Sequence, residues 1–338
     1  MKNVIKYFYN IDLDNIRMID DNYYFVYKNR KFVFYQIKDM QFNQNLINKL
    51  NSLLSKKVKE FFRIIQNKDN NIITIYENKK YILMLENFSN DREFDYTDVL
   101  KTNIDINNLE SYNNSNNWDK LWKIKVDYFE MFIENNMNKY PQLNIYYNYF
   151  IGMAENAISY YKDVIEKKEI NFYDKPVISH KRIENDYTFK DLYNPMSLMI
   201  DHPSRDLAEY LKKLFWNKKN DYNTIVECLN KAKLSSLGSG ILFSRMIYPS
   251  FFFDEFEKLV NNQIKVNDMI KIINRMEEYE QFLLKLYIIL NKKYNISQIE
   301  WIKKIDYSST LTTPKTSGTS LINIDSIPSL SVTSIMLQ

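Results

Sequence analysis

The stretch Ile178–Leu211 reads ISHKRIENDYTFKDLYNPMSLMIDHPSRDLAEYL, and it contains both histidines of the 338-residue chain, His180 and His202. Its pattern predicts a short apolar strand at 177–179, a polar loop, and a second strand at 197–200. A tight turn that opens a helix follows. Two histidines placed in so short a segment suggest that this segment carries the distinctive geometry of the fold.

Polar side chains stand where these two strands end. Asp201 ends the second strand, and Ser204 or Asp206 is expected to cap the helix that follows. The strand ends are therefore expected to bring His180, Arg182 and Asp201 to one edge. Kinases build their catalytic and metal loops from strand ends in this way.

The segment resembles the H-G-D … I-D-x-x-x-x-x-D-L-A pattern of aminoglycoside-phosphotransferase-like kinases. It is more similar still to spore coat proteins of the CotS and YutH type. The matching residues are Ala154–Ile158, Ser179–Arg182 and Asp201–Glu209. The resemblance implies a bilobal, protein-kinase-like α+β fold, with a small β-rich N-lobe and a mostly helical C-lobe. It also implies a coat role inside a spore-forming bacterium, in the mother cell or on the spore, with other spore coat proteins as partners.

Composition excludes several classes of protein. Hydrophobic residues make up 45% of the chain and aromatic residues 15%, which is ample for a large core. The net charge of +4 is spread along the sequence, so a nucleic-acid partner is not expected. The single cysteine, Cys228, argues against a disulfide or a zinc site and favours a reducing compartment. No apolar run is long enough for a signal peptide or a membrane span, so no membrane partner is expected.

The first 86 residues have the order of a kinase N-lobe. Two aromatic, β-rich runs at 23–27 and 32–37 predict a hairpin, and runs at 72–76 and 81–85 predict a second one. Between them, apolar residues at helical spacing predict an amphipathic helix over Asn43–Ile65. Without the resemblance, this order describes an ordinary small α+β unit.

Residues 87–306 are predicted to form the helical C-lobe. After a polar linker at 87–117, long helices are expected from Trp118 and over 146–166, and shorter helices follow the central segment. Leu237–Gly240 is expected to break the helical pattern. Residues 307–338 contain fourteen Ser or Thr and few charges, which predicts a disordered tail.

The resemblance allows the phosphate-binding parts to be checked. A phosphate loop normally needs glycine, yet the glycines are Gly152, Gly238, Gly240 and Gly318, so the N-lobe has none. Lys38 is a weak candidate for the lysine that contacts ATP phosphates. Its usual glutamate partner is missing from the start of the following helix, where the first acidic residue is Glu60.

The catalytic loop departs from the kinase pattern as well. Arg182 stands where the general-base aspartate is expected, and an arginine cannot accept a proton at physiological pH. Asp186 or Asp191 could replace the base from the same loop. Asp201 is the one candidate magnesium ligand, and a single carboxylate holds magnesium poorly.

Several residues of the pattern are expected to be structural. His180 corresponds to the loop histidine of kinases, and Asp206 to the aspartate that binds the catalytic-loop backbone. Arg205 is a candidate ion-pair partner for Asp201, Glu155 or Glu209. The remaining expected structural residues are His202, Glu155 and Asn156.

The sequence therefore favours a catalytically degenerate kinase-like protein that acts as a structural or scaffolding component of the endospore coat and needs no cofactor. One alternative is an active small-molecule kinase with displaced catalytic residues, using ATP and magnesium. A regulatory or RNA-binding module is a second alternative, which the absence of a basic stripe disfavours.

Overall fold

The computed structural model describes residues 1–38, 42–89, 91–104, 106, 117–167 and 169–302. The strands in this part of the chain are β1 Arg17–Ile19, β2 Asn22–Tyr27, β3 Arg30–Ile37, β4 Phe61–Ile65, β5 Thr74–Tyr76, β6 Lys79–Asn87, β7 Val177–His180 and β8 Leu198–Asp201. The helices are α1 Lys2–Tyr9, α2 Gln44–Lys57, α3 Tyr96–Leu100, α4 Trp118–Asn136, α5 Asn144–Lys167, α6 Phe189–Leu192, α7 Ser204–Trp216, α8 Tyr222–Lys231, α9 Ser236–Ile247, α10 Ser250–Val260, α11 Val266–Ile273 and α12 Met276–Tyr294.

The chain divides into two compact units. The first consists of residues 1–110, 175–217 and 230–232, and the second of residues 111–174, 218–229 and 233–338. The first unit therefore contains the predicted N-lobe together with the His180–Leu211 segment. The predicted tail at 307–338 lies outside the described residues.

The first unit is built on an antiparallel sheet with the strand order β1-β2-β3-β6-β4, and β5 also pairs with β6. Both predicted hairpins are confirmed, as β2–β3 and β5–β6. The turns of these hairpins are Lys28-Asn29 and Glu77-Asn78, and all four residues have positive φ. Two-residue turns of this kind match the twist of the strands, and asparagine tolerates them best after glycine.

One face of the sheet packs against α1. Val4 and Ile5 of this helix join a buried cluster with Phe25, Phe34 and Leu83 of the sheet. Helix α1 was not predicted, although Val4, Ile5 and Phe8 have the spacing of one helical face. Its apolar side therefore closes a core that the strands alone would leave open to water.

The helix predicted over Asn43–Ile65 is wrong in its second half. Helix α2 ends at Lys57, and Phe61–Ile65 forms strand β4 instead, paired antiparallel with β6. Aromatic and β-branched residues favour a strand where a neighbouring strand is available. Apolar periodicity alone did not separate the two elements.

The second unit has a core of stacked aromatic rings. Phe150 stacks on Phe252 with ring centroids 3.7 Å apart, and Phe129 stacks on Phe253 at 4.4 Å. These four rings are at most 2% exposed. Much of the aromatic content of the chain is therefore used inside the protein.

The predicted break at Leu237–Gly240 is also wrong, because these residues lie inside helix α9. A Cβ at Gly240 would lie 2.6 Å from Val164 Cγ1 of α5, well inside van der Waals contact. The glycine therefore allows two helices to approach closely, and the contact outweighs its poor helix propensity.

We expect Gly240→Ala to lower the free energy of unfolding by about 1–3 kcal/mol, because the added methyl group overpacks the α5–α9 contact. Denaturant unfolding measures the change. Val164→Ala in the same chain removes the obstructing methyl groups, so the double variant should lose less than the sum of the two single variants. Strict additivity of the two losses would contradict this account of Gly240.

Candidate functional site

Strands β7 and β8 form a two-stranded antiparallel ribbon, and α7 follows it. All three elements, which include the His180–Leu211 segment, belong to the first unit. His180 pairs with Leu198 and Asp201 with Val177, so the two polar residues lie at opposite ends of the ribbon. The prediction that the strand ends meet at one edge is therefore wrong, because the strands run antiparallel. Side chains of α7 make the connection between them.

His180 is fully buried, and both its imidazole ring and its backbone amide are held by hydrogen bonds. Its ring Nε2 lies 3.0 Å from the carbonyl oxygen of Leu192, so this nitrogen donates the hydrogen bond. Its backbone N–H donates to Asp206 Oδ1 at 2.7 Å. Nδ1 is 3.1 Å from Asp206 Oδ2, but the pair lacks the geometry of a hydrogen bond. The histidine thus joins the β7 exit to the loop around α6.

Asp206 lies in the first turn of α7 and is also fully buried. Besides the His180 amide, it accepts a hydrogen bond from the side-chain amide of Asn103 at 2.8 Å, in the amide orientation that satisfies both groups. The predicted capping by Ser204 or Asp206 is wrong. Helix α7 begins at Ser204, and its N-cap residue, Pro203, makes no side-chain capping hydrogen bond.

Arg205 connects three groups at the ends of both strands. Its Nε donates to the carbonyl oxygen of His180 at 2.7 Å and its Nη2 to that of Lys181 at 2.5 Å. Its Nη1 lies 2.9 Å from Asp201 Oδ2. The side chains of Arg205 and Asp201 are 4% and 6% exposed, so this is a buried ion pair. Of the carboxylates considered from sequence, Asp201 is the partner.

The other oxygen of Asp201 is engaged as well. Oδ1 accepts the backbone N–H of His202 at 2.7 Å. His202 Nδ1 in turn accepts the backbone N–H of Ser204 at 3.1 Å and lies 2.8 Å from its hydroxyl. Both oxygens of Asp201 therefore have protein partners.

The segment from the end of β7 through α6 carries Arg182, which stands at the expected position of the general base, and the two acidic candidates Asp186 and Asp191. Arg182 Nη1 lies 3.7 Å from Glu209 Oε1. Asp191 Oδ2 accepts the backbone N–H of Thr188 at 2.7 Å and forms the capping box of α6. Asp186 is exposed. Of these acidic candidates, Asp191 has a structural role and Asp186 faces water.

Lysine side chains that the sequence did not single out hold this loop. Lys213 of α7 donates to the carbonyl oxygens of Glu184, Asn185 and Tyr187 at 2.9, 2.6 and 3.1 Å. Lys190 pairs with Glu86 at the end of β6 at 2.5 Å. These partners lie 26 to 104 residues apart in sequence, so no local signal reveals them.

The remaining predicted residues lie elsewhere. Lys38 pairs with Asp21 at 2.8 Å, and both side chains are more than half exposed. The hydrogen bond with Asp21 raises the pKa of Lys38. Glu155 and Asn156 belong to α5 in the second unit, where the Asn156 amide donates to the Gly152 carbonyl at 2.8 Å. In the described part of the chain, no three His, Cys, Asp or Glu side chains are grouped to hold a metal ion.

Asp98 is a residue of α3, and through Arg92 it supports the start of α6. It binds Arg92 at 2.7 Å and Lys101 at 2.8 Å. Arg92 lies over the Phe189 ring, and its carbonyl accepts the Phe189 amide. Burial opposes ionisation of Asp98, but the hydrogen bonds from Arg92 and Lys101 outweigh it and lower its pKa to about 2.

This architecture defines the class of the protein as kinase-like. The crystal structure of an aminoglycoside phosphotransferase from Alicyclobacillus acidocaldarius matches it with a TM-score of 0.51 at 8% identity, over 92% of this chain and 96% of that chain. At that identity the likeness shows the fold alone. The predicted kinase-like fold class is confirmed.

The sequence then places the chain within a family. Residues 2–286 match the family described as "Spore coat putative kinase YutH", so the chain belongs to that family. The endospore coat-associated protein YutH of Bacillus subtilis (strain 168) is 26% identical over 213 residues, which cover 55% of this chain and 61% of that protein. The match thus spans about three fifths of this relative. None of the helices that the structure describes is long and apolar enough to cross a bilayer.

We expect Arg205→Met to lower the free energy of unfolding by about 3–5 kcal/mol, because it leaves the Asp201 carboxylate buried without its counter-charge. Urea unfolding followed by circular dichroism measures the loss. Lys167→Met is the matched control, since it breaks an exposed i,i+4 pair with Asp163 and should cost about 0.5 kcal/mol or less. If Arg205→Met proves too unstable to purify, Arg205→Lys should fold with an intermediate loss. Equal losses at Arg205 and Lys167 would contradict the buried ion pair.

Asp98 should make stability depend on acidity. Its pKa is lowered from the ordinary 3.8, so its contribution is fully present above pH 3.8 and is lost as the pH falls towards 2. Asp98→Asn should therefore flatten the decline of unfolding free energy in this range. A variant lacking both Arg92 and Lys101 side chains should flatten it in the same way. An unchanged acid profile in both variants would show that Asp98 is not held ionised by these partners.

Proposed function

We propose that this protein serves the endospore coat as a kinase-like protein without phosphotransferase activity, and that it acts as a structural or scaffolding component that binds other coat proteins. Membership of the YutH family and the similarity to the Bacillus coat-associated protein support the coat role. The observation that carries the non-catalytic part is the buried Arg205–Asp201 ion pair. On this proposal the protein needs neither ATP nor magnesium.

The ion pair matters because of what phosphoryl transfer requires. Metal ions neutralise charge on the transferred phosphate, and aspartates hold these ions in kinases. Asp201, the one carboxylate at the expected position, has a guanidinium on one oxygen and a backbone amide on the other. To bind magnesium it would have to leave Arg205 buried and uncompensated.

The position of the general base supports the same conclusion. Arg182 stands where an aspartate would accept the proton of the acceptor hydroxyl. An arginine stays protonated and cannot serve as a base. Its nearby carboxylate, Glu209, is largely buried and lies beside the guanidinium. An arginine at this position therefore supports the absence of a general base there.

The turn between β1 and β2 also differs in charge from the phosphate-binding turn of kinases. In kinases a glycine-rich turn covers the phosphates before the strand that carries the lysine. In this chain the β1–β2 turn is Asp20-Asp21, with φ of 48° and 66°. Carboxylates at this turn repel phosphate groups, and Asp21 also engages Lys38. The charge of the turn therefore disfavours ATP.

A second candidate function is an active small-molecule kinase whose base is displaced to Asp186. The supporting observation is that Asp186 is exposed on a loop whose backbone is fixed by Lys213. A fixed loop that presents a carboxylate to water has one of the properties of a catalytic loop. The other catalytic parts lack a counterpart among the residues considered above.

We expect millimolar ATP with magnesium to leave the thermal unfolding midpoint of the full chain unchanged. A ligand at a hundred times its dissociation constant stabilises by about 2.7 kcal/mol, which would raise the midpoint by a few degrees. An aminoglycoside phosphotransferase measured in the same buffer shows that the assay detects a working site. A magnesium-dependent rise in this protein would sink the non-catalytic proposal.

The Asp186→Asn variant distinguishes the structural role from the catalytic role in the cell. Asp186 is exposed, so the variant should fold like the wild type. In a spore former lacking its own copy, the variant should restore the coat as well as the wild type does if the role is structural. Loss of coat assembly by a normally folded Asp186→Asn protein would favour catalysis.

A further inference from the structure

Helix α4 of the second unit has an apolar side that faces water. Its inner side buries Trp122, Val126, Phe129 and Ile133. The outer side carries Leu121, Ile124, Tyr128 and Met131, which are 49%, 64%, 42% and 57% exposed. We call these four outer residues the α4 stripe.

The α4 stripe has the spacing of a helix–helix contact. Its residues follow one another at intervals of three, four and three, which places them on one face of the helix. This is the a/d spacing of a coiled coil, in which apolar side chains of two helices interlock. A contiguous apolar strip of this kind marks an interaction surface, whereas scattered exposed apolar residues are ordinary.

The charges around the stripe are divided along the helix. Apart from the half-buried Asp119 in the first turn, the N-terminal half carries Lys120, Lys123 and Lys125, and the C-terminal half carries Asp127, Glu130 and Glu134. These six side chains are exposed. In the acidic half, burial and then the neighbouring carboxylates of Glu155, Asp127 and Glu134 raise the pKa of Glu130. A basic surface placed against this half would relieve the repulsion.

We propose that the α4 stripe binds the α4 stripe of a second copy of this chain, with the two helices antiparallel about a two-fold axis. In this arrangement Leu121 lies opposite Met131 of the second copy, and Ile124 lies opposite its Tyr128. Lys120 then lies beside Glu134 of the second copy, and the basic half of each helix meets the acidic half of the other. A two-fold contact uses the same patch twice, so it requires a patch that is complementary to itself.

The pattern of charge selects this occupant and this orientation. Two parallel α4 helices would place lysines against lysines and carboxylates against carboxylates, which is unfavourable. The inference does not depend on whether the protein binds nucleotide, because it uses residues of α4 in the second unit and none of the residues of the ion pair and loop in the first unit. It supplies one concrete protein contact for a coat component, self-association.

The contact is small, since four apolar side chains from each copy cover less than a standard interface of about 800 Å² per partner. We therefore expect a concentration-dependent dimer, measured by sedimentation velocity on the full chain from low micromolar to submillimolar protein. Ile124→Asn should abolish the dimer. Ile288→Asn is the control, because Ile288 is 56% exposed on α12 of the same unit and should leave dimerisation unchanged.

Charge reversal tests the orientation. Lys120→Glu and Glu134→Lys each place like charges together twice in an antiparallel dimer, so each should weaken dimerisation by about tenfold. The double variant restores opposite charges and should return to the wild-type affinity. In a parallel dimer the double variant would gain nothing over the single variants.

A chain that stays monomeric over the whole concentration range would overturn the proposal. So would a dimer that Ile124→Asn leaves intact, because association would then use another surface. Failure of the double charge variant to recover would overturn the antiparallel arrangement. None of these outcomes bears on the nucleotide measurements, so the two proposals fail separately.

Discussion

The His180–Leu211 segment depends on the hydrogen bonds and the ion pair that the Arg205 guanidinium makes. Its planar set of donors reaches two backbone carbonyls after β7 and one carboxylate at the end of β8. The antiparallel ribbon places these groups at different ends, so one rigid side chain from α7 is needed to hold them together. Asp206, the next residue, holds the backbone amide of His180 from the same helical turn. Two adjacent residues thus fix both strand ends to one helix.

That arrangement has a chemical consequence. A carboxylate that binds a metal ion must offer it at least one oxygen. Asp201 has its charge compensated by an arginine that is itself buried, and a buried pair is costly to separate in either direction. This buried pair is the feature on which the non-catalytic proposal depends. Lys213 adds to this rigidity, because its ammonium group donates to the carbonyl oxygens of Glu184 and Asn185 in the loop after β7.

An element of this structure can be predicted from the sequence when the residues that determine it are close together in the chain. The two hairpins were predictable, since aromatic runs flanking short polar turns pair with their immediate neighbours. Strand β4 was missed because Phe61–Ile65 continues the apolar spacing of α2, and only pairing with β6 distinguishes it. The sequence predicts that Gly240 breaks a helix. In the structure its missing side chain allows α9 to pack closely against Val164 of α5, which is distant in sequence. Arg205 was assigned three possible partners, and the choice of Asp201 depends on three-dimensional placement.

A scarcity of glycine links several of these observations. Where the described part of the chain adopts positive φ, it uses asparagine, aspartate, lysine or glutamate, as at Asp20-Asp21 and Lys28-Asn29. An aspartate in the β1–β2 turn satisfies the backbone while adding negative charge where a kinase needs a neutral cradle. The substitution is tolerable only if no phosphate must approach the turn. On the non-catalytic proposal the hairpin can keep acidic residues at its turn, because no phosphate has to approach them, and their negative charge would oppose phosphate binding.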